Sequence, residues 1–267
     1  MTTIGSFILV KGEAQWIGPH LATSLPHLDQ MVFYDGGSTD GTIEIIEKFQ
    51  KLHPDGNKIK LVKDKDPKDL RDDYVRVFNE CLHALDTDLA FFLHPDQIIV
   101  DPGNIRNLGD GIAYSTSMRS FGGEPGGQLY EVKTGRADAW LNIFRLKNPD
   151  LGAHYHGHYG AANESVYFKQ ITGDAHDYHG LHFGNYPYPV IDSGIKLLHF
   201  SDVRPLARRI GRMQTCLLNQ GHKVFDAERI AQIHPRVTLK NGGEFTFEPA
   251  EYPEIFKTWE SALQVPA

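Results

Sequence analysis

The segment from Val32 to Thr42 limits the possible folds of this chain more than any other. A short apolar strand ends at Asp35, a glycine-rich turn follows, and a helical pattern begins at once at Ile43. In open α/β sheets, ligands bind in the crevice at the carboxyl ends of the strands. Ser38 and Asp40 directly precede the helix and suit a capping role. The segment therefore predicts an α/β sheet and leaves Asp35 as a candidate binding residue.

Apolar runs and helical patterns alternate through the first hundred residues. Strands are predicted at Ile4–Val10, Met31–Tyr34, Ile59–Val62 and Leu89–Leu93. Helical periodicity begins at Trp16 and closes at Pro26, and it recurs at Ile43–Leu52 and Leu70–Leu85. Strands separated by helices form parallel sheets that are covered by those helices. The expected fold class is therefore α/β, with a mainly parallel sheet flanked by helices.

The pattern changes after Asn104. Further strands are predicted at Gly111–Met118, Gln128–Lys133 and Ala139–Leu146, with a loop at Asn148–Gly160 and a helix at Arg204–Gly221. The arginines of that helix form either a solvated basic face, which is the usual case, or an electropositive rim for an anionic ligand. We expect two parts of a single domain, residues 1–103 and a mixed part, residues 104–267.

Composition narrows the class of protein. The 267 residues are 40% hydrophobic and 23% charged, which is typical of a globular protein. No apolar run approaches the roughly 18–20 residues of a membrane span, and the amino terminus has no signal-peptide pattern. The net charge of −7 argues against a general nucleic-acid binder. Cys81 and Cys216 lack CxxC spacing, so a cytoplasmic location is expected.

Two motifs resemble the signatures of family 2 glycosyltransferases. The sequence Val10-Lys11-Gly12-Glu13-Ala14 with Trp16 is similar to VKNEA…W, and Asp35 to Thr42 is similar to DDGSTDGT, with Gly36 in place of the second aspartate. The resemblance implies the GT-A fold, a nucleotide-diphosphate sugar donor (UDP- or GDP-sugar) and Mn²⁺ or Mg²⁺. It assigns the nucleoside to Asp35, and we expect the further contacts from Val10, Lys11, Glu13 and Arg71. A solvated glutamate at a helix start is the alternative for Glu13.

The metal-binding DxD triplet of that family aligns with His94-Pro95-Asp96. The register is supported by Asn79, which precedes His94 by fifteen residues, as the family asparagine precedes its triplet. Carboxylates suit Mg²⁺ and Mn²⁺, but only Asp96 remains here. His94 either joins the metal or bonds the ribose or a neighbouring loop. His199, near the end of a later apolar run, is a further metal ligand or else a core histidine.

The acceptor side is predicted around Asn142–Leu146 and His154–Glu164, which loosely resemble an "IFR…G…HE" segment of the family. Inverting transfer needs a carboxylate that removes the proton of the acceptor hydroxyl. Glu164 is the first candidate, with Asp177 and Asp174 in reserve, although an exposed turn glutamate is equally compatible. The acceptor would be a glycan, a lipid-linked glycan or another hydroxyl compound.

Histidines are concentrated in the same region, at His154, His156, His158, His176, His179 and His182. Alternate histidines on a strand are compatible with zinc, and histidine mixed with tyrosine and glycine also suits sugar recognition. Two other functions stay open. One is a nucleotidyltransferase, although Val10–Glu13 is not a glycine-rich phosphate loop. The other is a non-catalytic nucleotide-sugar or carbohydrate-binding protein, which the loss of a metal carboxylate at His94 favours.

Overall fold

The computed structural model describes residues 2–64, 74–111, 113–133, 139–146, 153–156, 165–168, 176–177, 190–205, 236–238 and 244–263. Every structural statement below concerns these residues. Among the helices within them, none combines the length and the apolar composition that crossing a bilayer requires.

The first four strands form a parallel sheet covered by helices. They are β1 (Ile4–Val10), β2 (Gln30–Asp35), β3 (Ile59–Lys63) and β4 (Leu89–Phe92), in the order β3-β2-β1-β4. The intervening helices are α1 (Ala14–Ser24), α2 (Thr42–Leu52) and α3 (Tyr74–His83). A 3₁₀ turn containing Pro26 follows α1. The alternation predicted from the sequence is confirmed.

The later strands extend the same sheet with mixed directions. They are β5 (Gln97–Asp101), β6 (Ala113–Gly123), β7 (Leu129–Lys133), β8 (Ala139–Arg145), β12 (Val190–Val203), β13 (Arg236–Thr238) and β14 (Glu244–Ala250). β8 joins β4 to β6 by antiparallel pairing, while β12 runs parallel to β6 and antiparallel to β5. The expected α/β class, parallel at first and mixed afterwards, is therefore confirmed.

Three short strands form a second, antiparallel sheet. They are β9 (Ala153–His156), β10 (Ser165–Phe168) and β11 (His176–Asp177), with β10 in the centre. The loop predicted over Asn148–Gly160 is therefore wrong for residues 153–156. All four residues of β9 pair with β10. This pairing with a later strand cannot be recognised from the amino-acid composition of the segment.

The core lies on both faces of the parallel sheet. Ile8 and Phe33 belong to the cluster that includes the apolar residues of α1 and α2, whereas Phe7 and Val32 belong to the cluster that includes Val77 of α3. Adjacent residues of a strand point to opposite faces. Because both faces are covered, the strands read as continuous apolar runs in the sequence.

The chain beyond β14 packs back onto the first helices. It forms α4 (Ile255–Thr258) and a 3₁₀ turn at Trp259–Leu263. The Trp259 ring stacks on Phe49 of α2 with 5.9 Å between centroids. A Cβ atom at Gly18 of α1 would lie 2.5 Å from the same ring. Glycine at this position therefore lets the indole lie directly on the α1 backbone.

Candidate active site

The turn between β1 and α1 is fixed by side chains of the β2–α2 loop. Gly12 has φ of 69°, a left-handed conformation that glycine and asparagine tolerate. Its N–H donates to Ser38 Oγ at 3.0 Å, and the Glu13 N–H donates to Thr42 Oγ1 at 2.8 Å. The family signature has asparagine where this chain has Gly12, and both residues fit the same backbone conformation.

Asp35 lies at the end of β2, as predicted, and it also shapes the turn. Its carboxylate accepts hydrogen bonds from the N–H groups of Gly37 at 3.1 Å and Ser38 at 3.0 Å. The side chain is buried. Part of its hydrogen-bonding capacity therefore holds the glycine-rich turn, and contact with a nucleoside stays a prediction.

Of the two residues suggested for capping, only Asp40 binds the start of α2, and it does so from the position before the N-cap, whereas Ser38 binds Gly12. Its carboxylate accepts from the N–H of Thr42, the first residue of α2, at 3.2 Å and from the N–H of Ala14 at 3.1 Å. Burial by itself would raise the pKa of Asp40, but the hydrogen bonds from Thr42 and Ala14 hold that pKa below its ordinary value. Gly41, with φ of 97°, occupies the N-cap position itself.

The turn that carries Asp96 is held by Gln97. The Gln97 side chain accepts from the His94 N–H at 2.9 Å, and the Gln97 N–H donates to the His94 carbonyl at 3.0 Å. The Asp96 carbonyl accepts from the Phe200 N–H of β12 at 2.9 Å. Backbone and side-chain bonds together fix the Asp96 carboxylate at the junction of β4, β5 and β12.

A buried arginine joins the predicted site residues. Arg204 Nη2 donates to Asp96 Oδ2 at 2.7 Å, and Nη1 donates to Glu13 Oε2 at 3.0 Å. His199 Nε2 lies 3.4 Å from Asp96 Oδ1. We name Glu13, Asp96, His199 and Arg204 the Arg204 cluster. It joins the start of α1, the β4–β5 turn and the end of β12.

The prediction of a helix starting at Arg204, with that arginine on a solvated basic face, is wrong for this residue. β12 continues to Val203, and Arg204 follows in a bend with only 5% of its surface exposed. The reason is electrostatic, because two buried carboxylates need a cation beside them. The remainder of the predicted helix, residues 206–221, lies outside the described residues.

The charges of the cluster keep Asp96 ionised. Burial alone would raise the pKa of Asp96, but the neighbouring His199, Arg204 and His94 hold it well below its ordinary value. The Asp96 Oδ1 atom is buried and has no hydrogen-bond partner among the described residues. One oxygen of the carboxylate is therefore neutralised by Arg204, while the other faces an imidazole nitrogen.

The donor atoms at this position fit a divalent cation that a ligand would complete. Asp96 Oδ1 and His199 Nε2 are its protein donors, and the His94 ring stacks on His199 with 6.0 Å between centroids. Among the described residues, no group of three or more His, Cys, Asp or Glu side chains could hold a metal by itself. Mg²⁺ typically uses one or two carboxylates together with substrate phosphates. A cation here would need phosphate oxygens as further ligands.

The other predicted residues are only partly placed. The Val10 carbonyl accepts from the Gly36 N–H at 2.9 Å, and Lys11 begins the turn into α1. Asp177 lies on β11 and pairs with Ser165 in the second sheet. The predicted roles of Arg71, Glu164 and Asp174 concern positions outside the described residues, as do those of His158, His179 and His182. His154 and His156 lie on β9, and His176 lies on β11.

Sequence reasoning also missed His20 of α1, which supports the Asp96 turn from behind. Its Nδ1 atom lies 2.7 Å from the Gln97 carbonyl oxygen, and its Nε2 atom is buried without a hydrogen-bond partner among the described residues. Burial lowers the pKa of His20 from 6.5 to about 4, although the bond to Gln97 and the charge of Asp96 act in the opposite direction. The ring is therefore neutral in the folded protein at neutral pH.

We expect His20 to make folding stability fall in weak acid. A lowered pKa means that the unfolded chain binds the proton more tightly, so this contribution is complete above pH 6.5 and is lost as the pH falls toward 4. The loss between pH 7 and pH 5 should be about 2 kcal/mol. Urea unfolding of the wild type and of His20→Gln at both pH values measures it. An equal loss in both proteins would show that His20 is not the source.

Comparison with known proteins gives structural similarities only. No protein-family model matches the sequence, and no curated protein sequence does. Among solved structures, the chain is similar to S. aureus TarS residues 1–349 in complex with UDP, with 16% identity and a TM-score of 0.31 over 36% of this chain and 28% of that one. It is also similar to the mannosyltransferase PcManGT from Pyrobaculum calidifontis in complex with GDP-Man and Mn²⁺, with 19% identity and a TM-score of 0.37 over 44% and 35%.

A third similar structure is glucosyl-3-phosphoglycerate synthase from Mycobacterium tuberculosis in complex with Mn²⁺, UDP-glucose and phosphoglyceric acid. The identity is 20% and the TM-score is 0.31, over 47% of this chain and 45% of that one. In all three cases the match spans less than half of the other protein's length. A similarity of this extent assigns no activity to this chain, which has to be argued from its own side chains.

Proposed function

We propose that this protein is a glycosyltransferase that uses a nucleotide-diphosphate sugar, a UDP- or GDP-sugar, together with Mn²⁺ or Mg²⁺. The observation that carries the proposal is the buried Asp96 Oδ1 atom, which lies 3.4 Å from His199 Nε2 at the carboxyl ends of the parallel strands and accepts no closer hydrogen bond from the described residues. A carboxylate oxygen beside an imidazole nitrogen suits a divalent cation. The position is the edge at which open α/β sheets bind ligands.

Asp96 and His199 would hold the cation, which when bound stabilises the negative charge that develops on the departing diphosphate. Asp35, Glu13, Val10, Lys11 and Arg71 are proposed to contact the nucleotide, and His94 is proposed to contact the ribose or the cation. The family resemblance supports these roles. The fixed turns at Gly12 and Asp96 support them physically, because preorganised groups need little rearrangement when the ligand binds.

On the acceptor side, we propose that Glu164 removes the proton of the attacking hydroxyl, with Asp177 as the alternative base. The reaction would invert the configuration of the sugar, as the family resemblance implies. The acceptor is proposed to be a glycan, a lipid-linked glycan or another hydroxyl compound. A base has to lie within hydrogen-bonding reach of the hydroxyl, so Glu164→Gln should stop transfer while donor binding persists.

The proposed donor class is tested by thermal unfolding with UDP-, GDP- and TDP-sugars, each with and without Mn²⁺. We expect at least one donor to raise Tm markedly only when Mn²⁺ is present, because a ligand that binds the folded state stabilises it by about 4 kcal/mol at a thousandfold excess over Kd. The matching nucleoside without phosphates is the control. If no donor shifts Tm in either condition, the proposed function is wrong.

A non-catalytic nucleotide-sugar binding protein is the second candidate, and the observation that favours it is His94 in place of a carboxylate. Both candidates predict donor binding, but only the enzyme should slowly hydrolyse the donor in a metal-dependent reaction. A nucleotidyltransferase is less well supported. Only three residues, Lys11 to Glu13, connect β1 to α1, and they form no glycine-rich phosphate loop.

A further inference from the structure

We propose that Arg204 is the positioning residue of this site. Its guanidinium holds the Glu13 and Asp96 carboxylates on either side of it, so that Asp96 presents Oδ1, and not Oδ2, to the cation and the diphosphate. This inference rests on the proposed function and adds to it a residue that neither the sequence motifs nor the family resemblance assigned.

The three charged side chains Glu13, Asp96 and Arg204 are all buried. Exposed fractions are 8% for Glu13, 3% for Asp96 and 5% for Arg204. A charge removed from water is costly unless an opposite charge lies beside it, and two carboxylates without a cation would also repel one another. Arg204 lies between them, with bonds of 3.0 Å to Glu13 and 2.7 Å to Asp96. Both carboxylates therefore bind the same guanidinium.

The shape of the arginine side chain allows it to bind both carboxylates. A guanidinium is planar and presents several N–H donors in a rigid fork, so its two terminal nitrogens can bind two different carboxylates at once. Nη1 binds Glu13, and Nη2 binds Asp96. A lysine ammonium is a single point of charge on a flexible chain. It could neutralise one carboxylate, but it could not fix the separation of the two.

The two oxygen atoms of the Asp96 carboxylate have different neighbours. Arg204 binds Asp96 Oδ2, while the buried Oδ1 has His199 Nε2 at 3.4 Å as its neighbour among the described residues. The two ends of the carboxylate are therefore differentiated by their neighbours. If the Arg204 bond were lost, the carboxylate could rotate and present either oxygen, and the pairing of Oδ1 with His199 would no longer be fixed.

Arg204 also reduces the negative charge that an approaching diphosphate would meet. Glu13 and Asp96 together would repel an anionic ligand at this edge of the sheet, and Asp35 adds a third carboxylate on the neighbouring strand. Arg204 offsets one of these charges. A divalent cation that binds Asp96 Oδ1 would then meet a site of small net charge, to which a diphosphate can bind.

The test compares Arg204→Met, Arg204→Lys and Glu13→Gln by Mn²⁺ binding in the presence of UDP or GDP. Electron paramagnetic resonance of the free ion reports metal binding, and calorimetry reports nucleotide binding. We expect Arg204→Met to weaken both by about 10- to 100-fold, the range found for outer-shell groups at metal sites. Arg204→Lys should weaken them by about 3- to 10-fold, because it keeps the charge without the fork.

Arg119→Met is the matched control. Arg119 forms an ion pair with Glu131 between β6 and β7, outside the Arg204 cluster, and its side chain is 57% exposed. It should bind Mn²⁺ and nucleotide as the wild type does. Because Glu13 is also proposed to contact the nucleotide, the double-mutant cycle is measured on Mn²⁺ binding without nucleotide. Glu13→Gln with Arg204→Met should then bind Mn²⁺ no more weakly than Arg204→Met alone, because both changes break the same bridge.

The outcomes separate this inference from the proposed function. If the wild type binds neither nucleotide nor Mn²⁺, the proposed function fails. If the wild type binds both and Arg204→Met binds equally well, the function survives and the role of Arg204 is wrong. Independent, additive effects of the two substitutions on Mn²⁺ binding without nucleotide would also overturn it. Should Arg204→Met fail to fold, Glu13→Gln and Arg204→Lys decide: wild-type binding in both overturns the inference, and the graded loss supports it.

Discussion

Asp96→Asn is expected to abolish metal-dependent donor binding. Loss of outer-shell groups costs about 10- to 100-fold in metal affinity, so loss of a ligand should cost at least 100-fold, equivalent to about 2.7 kcal/mol. The neutral amide is also a poorer partner for Arg204, now 2.7 Å from Asp96 Oδ2. Titration with Mn²⁺ and UDP or GDP, followed by calorimetry, measures the effect.

Two further variants separate ligand loss from disturbance of the ion pair. His199→Gln removes the second proposed donor and leaves the Arg204 bridge intact, so binding should weaken while stability changes little. Asp101→Asn is the control, because Asp101 lies on the adjacent β5 strand and its carboxylate binds Lys196 at the surface. Wild-type affinity in Asp96→Asn would exclude a metal at this carboxylate.

Gly103→Ala should greatly lower the free energy of unfolding. Gly103 has φ of +49°, and a Cβ atom there would lie 2.4 Å from the carbonyl carbon of Gly194. A left-handed backbone costs about 1–2 kcal/mol for an ordinary residue, and overpacking adds about 1–3 kcal/mol. The contacted atoms are backbone and cannot rotate away. Urea unfolding should therefore show a loss of about 2–5 kcal/mol.

Gly126→Ala provides the matched control. Its φ of +73° is also left-handed, but nothing lies within 4 Å of a Cβ atom at that position. It should cost only the backbone term, about 1–2 kcal/mol. Equal losses in both variants would show that the approach of Gly103 to Gly194 is unimportant. Gly103→Ala should additionally weaken nucleotide binding, because β5 and β12 pair Gln97 with His199 beside Asp96.

The alternation of strands and helices could be predicted because it is written in local periodicity. Phe7 and Ile8 are adjacent in sequence and enter different core clusters, so a strand covered on both sides reads as one apolar run. Asp35 and Asp96 were identified for a related reason. A polar residue that follows such a run stands at the end of a strand, and the ends of parallel strands share one edge.

The partners of these residues could not be predicted in the same way. Asp35 was expected to face the crevice, yet its carboxylate also holds the turn at Gly37 and Ser38. β9 has only four residues, too few for periodicity to reveal a strand without its neighbour, so its sequence predicts a loop. The low pKa of His20 follows from its burial against the Asp96 turn, and the Gln97 carbonyl that it meets there lies 77 positions away in the sequence.

Local patterns in the chain predict the order of strands and helices, the edge at which polar side chains collect, and Asp35 as a candidate, and the family resemblance adds Asp96 and His199. The bonds from Arg204 to Glu13 and Asp96, from which it is separated by 191 and 108 positions, emerge only from the folded structure. Local periodicity reports which face of an element is buried. It does not report which buried charges meet, because that follows from the long-range pairing of strands and from the cost of leaving a carboxylate without a counter-ion.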